Sequence, residues 1–218
     1  MNPYTPPADT GLDLLYQDDA LLVVNKPGGL LSVPGRGADK QDCMTSRVQA
    51  TYPAAVTVHR LDMETSGVMV MALDKPVQRK LSLLFQERRV QKRYIAIVNG
   101  CMQSSRGKID LPLIADWPNR PRQRIDRENG KPSTTYFRVI GRDRKNNSTR
   151  VELKPVTGRT HQLRVHLQSL GHSILGDRLY SDGSGGAKAD RLMLHAESLA
   201  FHHPQTNKFM NFECALPF

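Results

Sequence analysis

The chain has 218 residues, with 31 Lys and Arg against 21 Asp and Glu, a formal charge of +10 and a pI near 9.8. This length allows one large domain or two small ones around a sizeable core, and the cationic surplus favours a polyanionic partner, above all nucleic acid. Three distant cysteines, Cys43, Cys101 and Cys214, form no CxxC pair, which argues against a disulfide framework or a thiolate zinc site. No apolar run approaches the ~20 residues of a membrane helix, and the polar, proline-rich start Met1–Pro7 has no signal-peptide pattern. The expected setting is a reducing cytoplasm, with no membrane partner.

Residues 1–11 read as a flexible lead-in, and 12–218 as the folded part. Leu12 to Tyr16 and Leu21 to Val24 predict two short strands around an acidic turn at Asp18-Asp19. Lys26-Pro27-Gly28-Gly29 and Pro34-Gly35-Arg36-Gly37 are loops. Asp42 is placed as the cap of a short helix through Val48. Val56-Thr57-Val58 and Val68 to Leu73 read as buried strands, because β-branched and apolar residues run without a break. Asp74 is an N-cap, Pro76 suits the first turn, and Val77, Leu81, Leu84 and Phe85 recur at helical spacing through to Arg88. Strands follow at Tyr94–Val98, Thr134–Ile140 and Arg150–Lys154, the last two flanking a polar turn at residues 143–147. A helix is predicted over Arg159–Leu170, with Leu163, Leu167 and Leu170 on one stripe and Gly171 as its stop. Gly183-Ser184-Gly185-Gly186 is a flexible loop, and Leu192–Phe201 and Phe209–Cys214 are closing strands. Strands in sequence-adjacent pairs with few helices indicate an α+β fold around a mixed, largely antiparallel sheet.

Between the strands at 56–58 and 68–73 lies His59-Arg60-Leu61-Asp62-Met63-Glu64-Thr65-Ser66-Gly67. A carboxylate in a loop held by two rigid elements is where catalytic groups are placed, although an Asp in a loop is more often a turn former or a cap. On the predicted helix from Arg159, His161, Arg164 and Gln168 share a polar face, and most such faces are simply solvated. Its start, Thr157-Gly158-Arg159-Thr160, presents backbone N–H groups to an anion. Three basic clusters could hold RNA phosphates: Arg88–Arg93, Arg120-Pro121-Arg122-Gln123-Arg124, and Arg142–Lys145. The second lies in a proline-rich loop beside Trp117 and is favoured, while the third reads as a solvated hairpin tip. His161 and His166 are five apart and cannot form an HExxH pair. No phosphate-binding glycine loop occurs. Metal ligation is therefore weakly supported, and a nucleotide cofactor is not indicated.

Taken together, Val23 to Leu30 with Asn25-Lys26-Pro27-Gly28-Gly29, His59 to Gly67, Lys92-Arg93-Tyr94-Ile95-Ala96, Lys154 to His166, Gly171 to Asp177 and Leu194-His195-Ala196 resemble the RluA-type pseudouridine synthases. The resemblance runs from about Leu14 to near the C-terminus. It implies the pseudouridine synthase fold, with an active-site cleft across a mixed sheet, and no metal or cofactor. Many members carry an N-terminal S4-type RNA-binding module, which the short lead-in here leaves no room for. With Asp116-Trp117-Pro118-Asn119-Arg120-Pro121, the chain looks most like the short members that act on large-subunit rRNA and on a tRNA anticodon arm. By position, Asp62 falls on the catalytic aspartate, Tyr94 on the active-site tyrosine and Arg164 on the basic residue paired with the aspartate. Arg60 falls on the arginine that enters the RNA stack. His59, Arg120, Arg122, Arg159, His161 and Leu175 are the further RNA contacts expected. Two other readings compete: a non-catalytic RNA-binding protein, which has no need of Asp62, Tyr94 and Arg164 together, and a nucleosidase, which normally uses two carboxylates and has only Glu64 near Asp62. Nothing demands an assembly, so a monomer is expected.

Overall fold

The computed structural model describes residues 4–181 and 189–218. The loop expected at Gly183–Gly186 lies outside the described residues. The chain groups into two compact units, residues 1–92 with 196–217, and residues 93–195 with Phe218. The fold is α+β, and every registered strand pair among the described residues is antiparallel.

In the first unit, β1 (Leu14–Gln17) pairs with β2 (Leu21–Lys26), and β2 pairs with β4 (Ser66–Ala72). A two-residue β3 (Val56–Thr57) joins β4 at its far end. The residues of β11 (Leu194–His202) from Ala196 onward fall in this unit, next to β4 and β12 (Phe209–Glu213). The unbroken apolar runs of β2 and β4 have a direct cause: this sheet is covered on both faces. Leu21, Val23, Val68 and Val70 pack with Val77 and Leu81 of α2 (Lys75–Gln86). Leu22, Val24, Met69 and Met71 point the other way, onto Met44 and Val48 of α1 (Met44–Thr51). Asp74 caps α2 as predicted, its carboxylate accepting from Val77 N–H at 2.6 Å. The cap of α1 falls instead on Cys43, because both oxygens of Asp42 are engaged by Arg47 at 2.8 Å.

The lead-in has neither helix nor strand from residue 4 to 11, yet it is not loose. The Tyr4 hydroxyl donates to Asp42 O and accepts from Leu31 N–H, both at 3.0 Å, and the Pro7 carbonyl accepts from Arg47 at 2.6 Å. The Arg47 guanidinium ties this segment and Asp42 to α1.

In the second unit, β5 (Gln91–Asn99, of which Arg93 onward belongs here), β10 (Ser148–Pro155), β9 (Thr134–Asp143) and β6 (Arg106–Asp110) follow one another. A separate hairpin joins β7 (Leu113–Ala115) and β8 (Gln123–Ile125). Here the alternate residues of β6 and β9 on one face are exposed among the described residues. Phe137, Val151 and Leu153 pack under Leu163 and Leu167 of α3 (Gln162–Ser169). The alternation of Thr134–Ile140 reflects this half-exposed state. Glycine is required where backbones meet: a Cβ on Gly67 would collide with the Ala196 carbonyl, and one on Gly176 with that of Arg191, and both have positive φ.

Candidate active site

The loop carrying Asp62 is held from both sides by buried groups of its own unit. Before it, the Ser32 hydroxyl donates to Leu61 O at 2.7 Å and accepts from Leu61 N–H at 3.0 Å. After it, the Lys26 ammonium donates to Met63 O at 3.0 Å, and also to Pro27 O at 2.8 Å and Leu30 O at 2.6 Å. Lys26 is 0 % exposed. Gly29 N–H reinforces the same carbonyl, Met63 O, at 2.9 Å, and Thr65 N–H closes a turn onto Asp62 O. The turn Pro27–Leu30 and the turn Leu61–Thr65 thus share one cation. Asp62 itself is half-buried, its backbone fixed on either side.

His59, expected to touch RNA, is turned inward. Its Nε2 accepts from Val70 N–H of β4 at 3.1 Å, and its ring stacks on Phe85 with centroids 4.5 Å apart. Burial, aided by nearby Lys92, pushes its pKa down to about 3. It is a neutral brace between the loop and β4. Arg60, next to it, is exposed.

In the second unit, the segment from Thr157 to His166 forms a closed polar network. The Thr157 hydroxyl donates to Gln162 Oε1 at 2.7 Å and accepts from Thr134 N–H at 3.0 Å. Gln162 Oε1 also accepts from Arg159 N–H, while its amide donates to Thr134 O and Thr135 Oγ1. His166 is 0 % exposed, with Nε2 at 3.0 Å from Leu111 O and Nδ1 at 2.9 Å from Thr135 Oγ1. A carbonyl only accepts, so Nε2 carries the proton and Nδ1 accepts from the hydroxyl. Desolvation lowers the His166 pKa.

This network changes the helix that the sequence predicts. It starts at Gln162, because Gln162 closes the Thr157–Arg159 loop and His161 sits in the left-handed region with φ 52°. The shared polar face of His161, Arg164 and Gln168 is therefore corrected. Gln168 is exposed, whereas Arg164 is 4 % exposed and binds Asp177 through Nε–Oδ2 and Nη2–Oδ1, both 2.7 Å. Asp177, 1 % exposed, also accepts from the N–H groups of Leu179 and Tyr180. The Tyr180 ring lies 5.0 Å from the Arg164 guanidinium. Its hydroxyl accepts from Gln123 N–H at 2.7 Å and is hydrogen-bonded to His161 Nδ1 at 2.7 Å.

Gln123 opens β8, so this hydroxyl anchors the hairpin that bears Arg120 and Arg122. At its tip Trp117 is 65 % exposed, with the Arg120 guanidinium 3.1 Å from the ring centroid. Both arginines are exposed, as is Arg159, whose Nε reaches Pro132 O at 3.4 Å. Tyr94 is a half-buried residue of β5, opposite Leu153 and packed against the second unit's core. Leu175 is buried; its N–H donates to Ile97 O and its carbonyl accepts from Met193 N–H, both at 2.9 Å. Among the described residues no three His, Cys, Asp or Glu side chains gather as metal ligands, and no helix is long and apolar enough to cross a membrane. Two site residues escaped the sequence reading of roles, Lys26 and Asp177. The signal for each was a charged residue closing an apolar run, Leu-Leu-Val-Val-Asn-Lys and Ile-Leu-Gly-Asp, just before a turn.

The sequence pattern of the RNA pseudouridylate synthase family matches residues 20–169. The chain is 50 % identical over 218 residues, its full length and 99 % of its relative, to the dual-specificity RNA pseudouridine synthase RluA of Escherichia coli K12. It is 52 % identical over 205 residues to the RluA of Yersinia pestis, covering 94 % of this chain and 99 % of that one. Among solved structures, human RNA pseudouridylate synthase domain containing 1 matches with a TM-score of 0.82 and 33 % identity, over 98 % of this chain and 87 % of that one. This chain belongs to the RNA pseudouridylate synthase family, and it is of the RluA type.

Replacing Lys26 with Met keeps the volume but leaves three carbonyls without this donor. Urea unfolding should show a loss of about 2 kcal/mol or more, roughly 1 for each of Pro27 O and Leu30 O, since Met63 O keeps the Gly29 N–H, with amide exchange of Met63 and Thr65 accelerated. For His59, the folded pKa near 3 lies below the unfolded value near 6.5. Its contribution is thus present above pH 6.5 and drains away as pH falls toward 3. Between pH 7 and pH 4.5 this costs of order 2 kcal/mol, and His59→Gln should unfold with a flatter pH dependence than the parent.

Proposed function

We propose that the chain isomerises specific uridines to pseudouridine in 23S ribosomal RNA, in a transfer-RNA anticodon arm, or in both. Family membership supports the reaction class, and the charge of +10 supports an RNA partner. The observation that carries the assignment of Asp62 is the double brace around it. Ser32 fixes Leu61 and Lys26 fixes Met63, so the intervening carboxylate is pre-positioned at little entropic cost.

The isomerisation breaks the N1–C1′ bond, turns the uracil, joins C5 to C1′, and moves the C5 proton away while N1 gains one. No oxidant and no group donor is consumed. Asp62 either attacks C1′ or takes a proton from the adjacent sugar carbon. The family pattern gives Arg164 the role of basic partner to the aspartate, and its planar fork suits a carboxylate. A guanidinium carries five N–H donors in a fixed fork, and Asp177 takes two of them, which sets its plane. Tyr94 lies along the uracil face with its hydroxyl toward the proton at C5. Extruding the base costs a few kcal/mol, and the exposed Arg60 fills the vacated stack. Trp117, Arg120, Arg122 and Arg159 hold the RNA, while His59, His161 and Leu175 support the site through the contacts described.

Asp62→Asn should lower pseudouridine formation by at least about 10³-fold, measured by carbodiimide labelling of RNA, while RNA affinity stays near that of the parent. Turnover within tenfold of the parent would overturn the role of Asp62, and release of free uracil would convert the reading to a nucleosidase. Asp177→Asn retains an acceptor for Arg164 but removes the charge that orients it. It should slow single turnover by about 10²-fold and destabilise the fold by about 3 kcal/mol. An unchanged rate would remove Arg164 positioning from the mechanism.

A further inference from the structure

The uncovered face of the second unit's sheet is strongly cationic. Directly opposite residues share a face, so the registers place Arg106, Arg138 and Glu152 in one row and Lys108, Tyr136 and Lys154 in the next. Phe137 and Leu153 face the other way, into the core, as does Tyr94 opposite Leu153. The two rows line an open trough of about 750 Å³. Same-face residues along a strand repeat at about 7 Å, so the side chains form a regular lattice of charge.

The lattice is under-neutralised. Among the described residues, Arg106, Lys108, Arg138 and Lys154 share two carboxylates of the same face, Glu152 and Asp110. Glu152 is shared among Arg138 at 3.0 Å, Lys154 at 3.5 Å and Arg93 at 3.7 Å, and Asp110 is held by Lys108 at 2.6 Å. Arg106 and Arg138 sit directly across from each other, and like charges so placed destabilise a sheet. In the second row Tyr136 is 49 % exposed, between two lysines. A flat aromatic ring flanked by cations is the arrangement by which single-stranded nucleic acid is gripped, bases on the ring and phosphates on the cations.

We propose that this outer sheet face is a second RNA-docking surface, taking the single-stranded segment that flanks the target uridine in the same RNA molecule. Tyr136 is the stacking platform, and Arg106, Lys108, Arg138 and Lys154 are the phosphate contacts. Buried Glu152 fixes the positions of Arg138 and Lys154. The surface lies on the opposite side of its sheet from Tyr94, so it binds RNA without entering the chemistry. The proposal rests on the uridine-isomerising activity proposed above.

The test compares a minimal stem-loop substrate with the same stem-loop carrying long single-stranded flanks. Tyr136→Ala should weaken binding of the flanked RNA roughly tenfold. The double variant R106Q/K154Q should reduce the slope of log affinity against log salt by about 0.7 per cation removed. Turnover of the minimal stem-loop should be unchanged in both variants, with unaltered melting temperatures. Equal losses on the two RNAs, or no loss on the flanked one, would overturn the proposal. So would tighter binding of polyglutamate than of a single-stranded RNA of equal charge, which would assign the face to an acidic protein. Failure of the parent protein to modify even the minimal stem-loop would instead refute the uridine activity, with flanked-RNA binding still reporting on this surface.

Discussion

One buried ammonium organises the loop on which the expected chemistry depends. Taking a lysine charge out of water costs several kcal/mol in real proteins. The chain offsets that cost by turning the carbonyls of Pro27, Leu30 and Met63 onto Lys26 Nζ. Neither turn can relax without taking an acceptor from the cation, so the strand ending at Lys26 and the loop before β4 are tied together. Gly29, with φ 83°, lets the first turn close tightly enough for its N–H to reach Met63 O as well. The rigidity of the Asp62 loop is therefore a consequence of β2, a strand remote from it in sequence.

The second unit solves the same problem with amides and hydroxyls. Gln162 replaces the missing first turn of a helix, gathering Thr157, Arg159 N–H and the start of β9. The helix that follows is buried from Gln162 to Leu167 despite carrying Arg164 and His166. Arg164 is bound by Asp177 through two of its N–H groups, and His166 is satisfied by Leu111 O and Thr135. Fully connected networks of this kind are rigid, and half-connected ones are costly. Tyr180 extends the network outward, since a single hydroxyl joins His161 to the base of the Trp117–Arg122 hairpin.

How much of this was legible in the sequence follows from which periodicities are local. The strands at 21–26 and 66–72 and the helix capped by Asp74 announce themselves by apolar runs and a cap. The start of α3 does not, because it depends on Gln162 bonding to β9, a tertiary event that overrides helical spacing. The β7–β8 hairpin was likewise invisible, since strands of three residues carry no usable pattern. Asp62, Tyr94 and Arg164 were reached through motif order and not through local physics. Arg164 looked like a surface cation, because its acceptor, Asp177, lies 13 residues away past the end of its helix.

The contrast between the strands of the first unit and those of the second explains why charge and function are distributed as they are. A sheet covered on both faces, as in the first unit, has no surface of its own to offer, and its loops carry the polar groups. A sheet covered on one face exposes its alternate residues, and their identity is then free of packing constraints. In β6, β9 and β10 those free positions are filled with arginine, lysine and tyrosine, at the expense of cross-strand repulsion. Buried charges in this chain have the opposite logic: Lys26, Arg164 and Asp177 are enclosed where desolvation makes them poor stabilisers. A neutral core would hold these loops at lower cost but could neither fix a carboxylate-bearing turn through three carbonyls nor set the plane of a guanidinium. The positions where stability is least well served are those where orientation is best controlled.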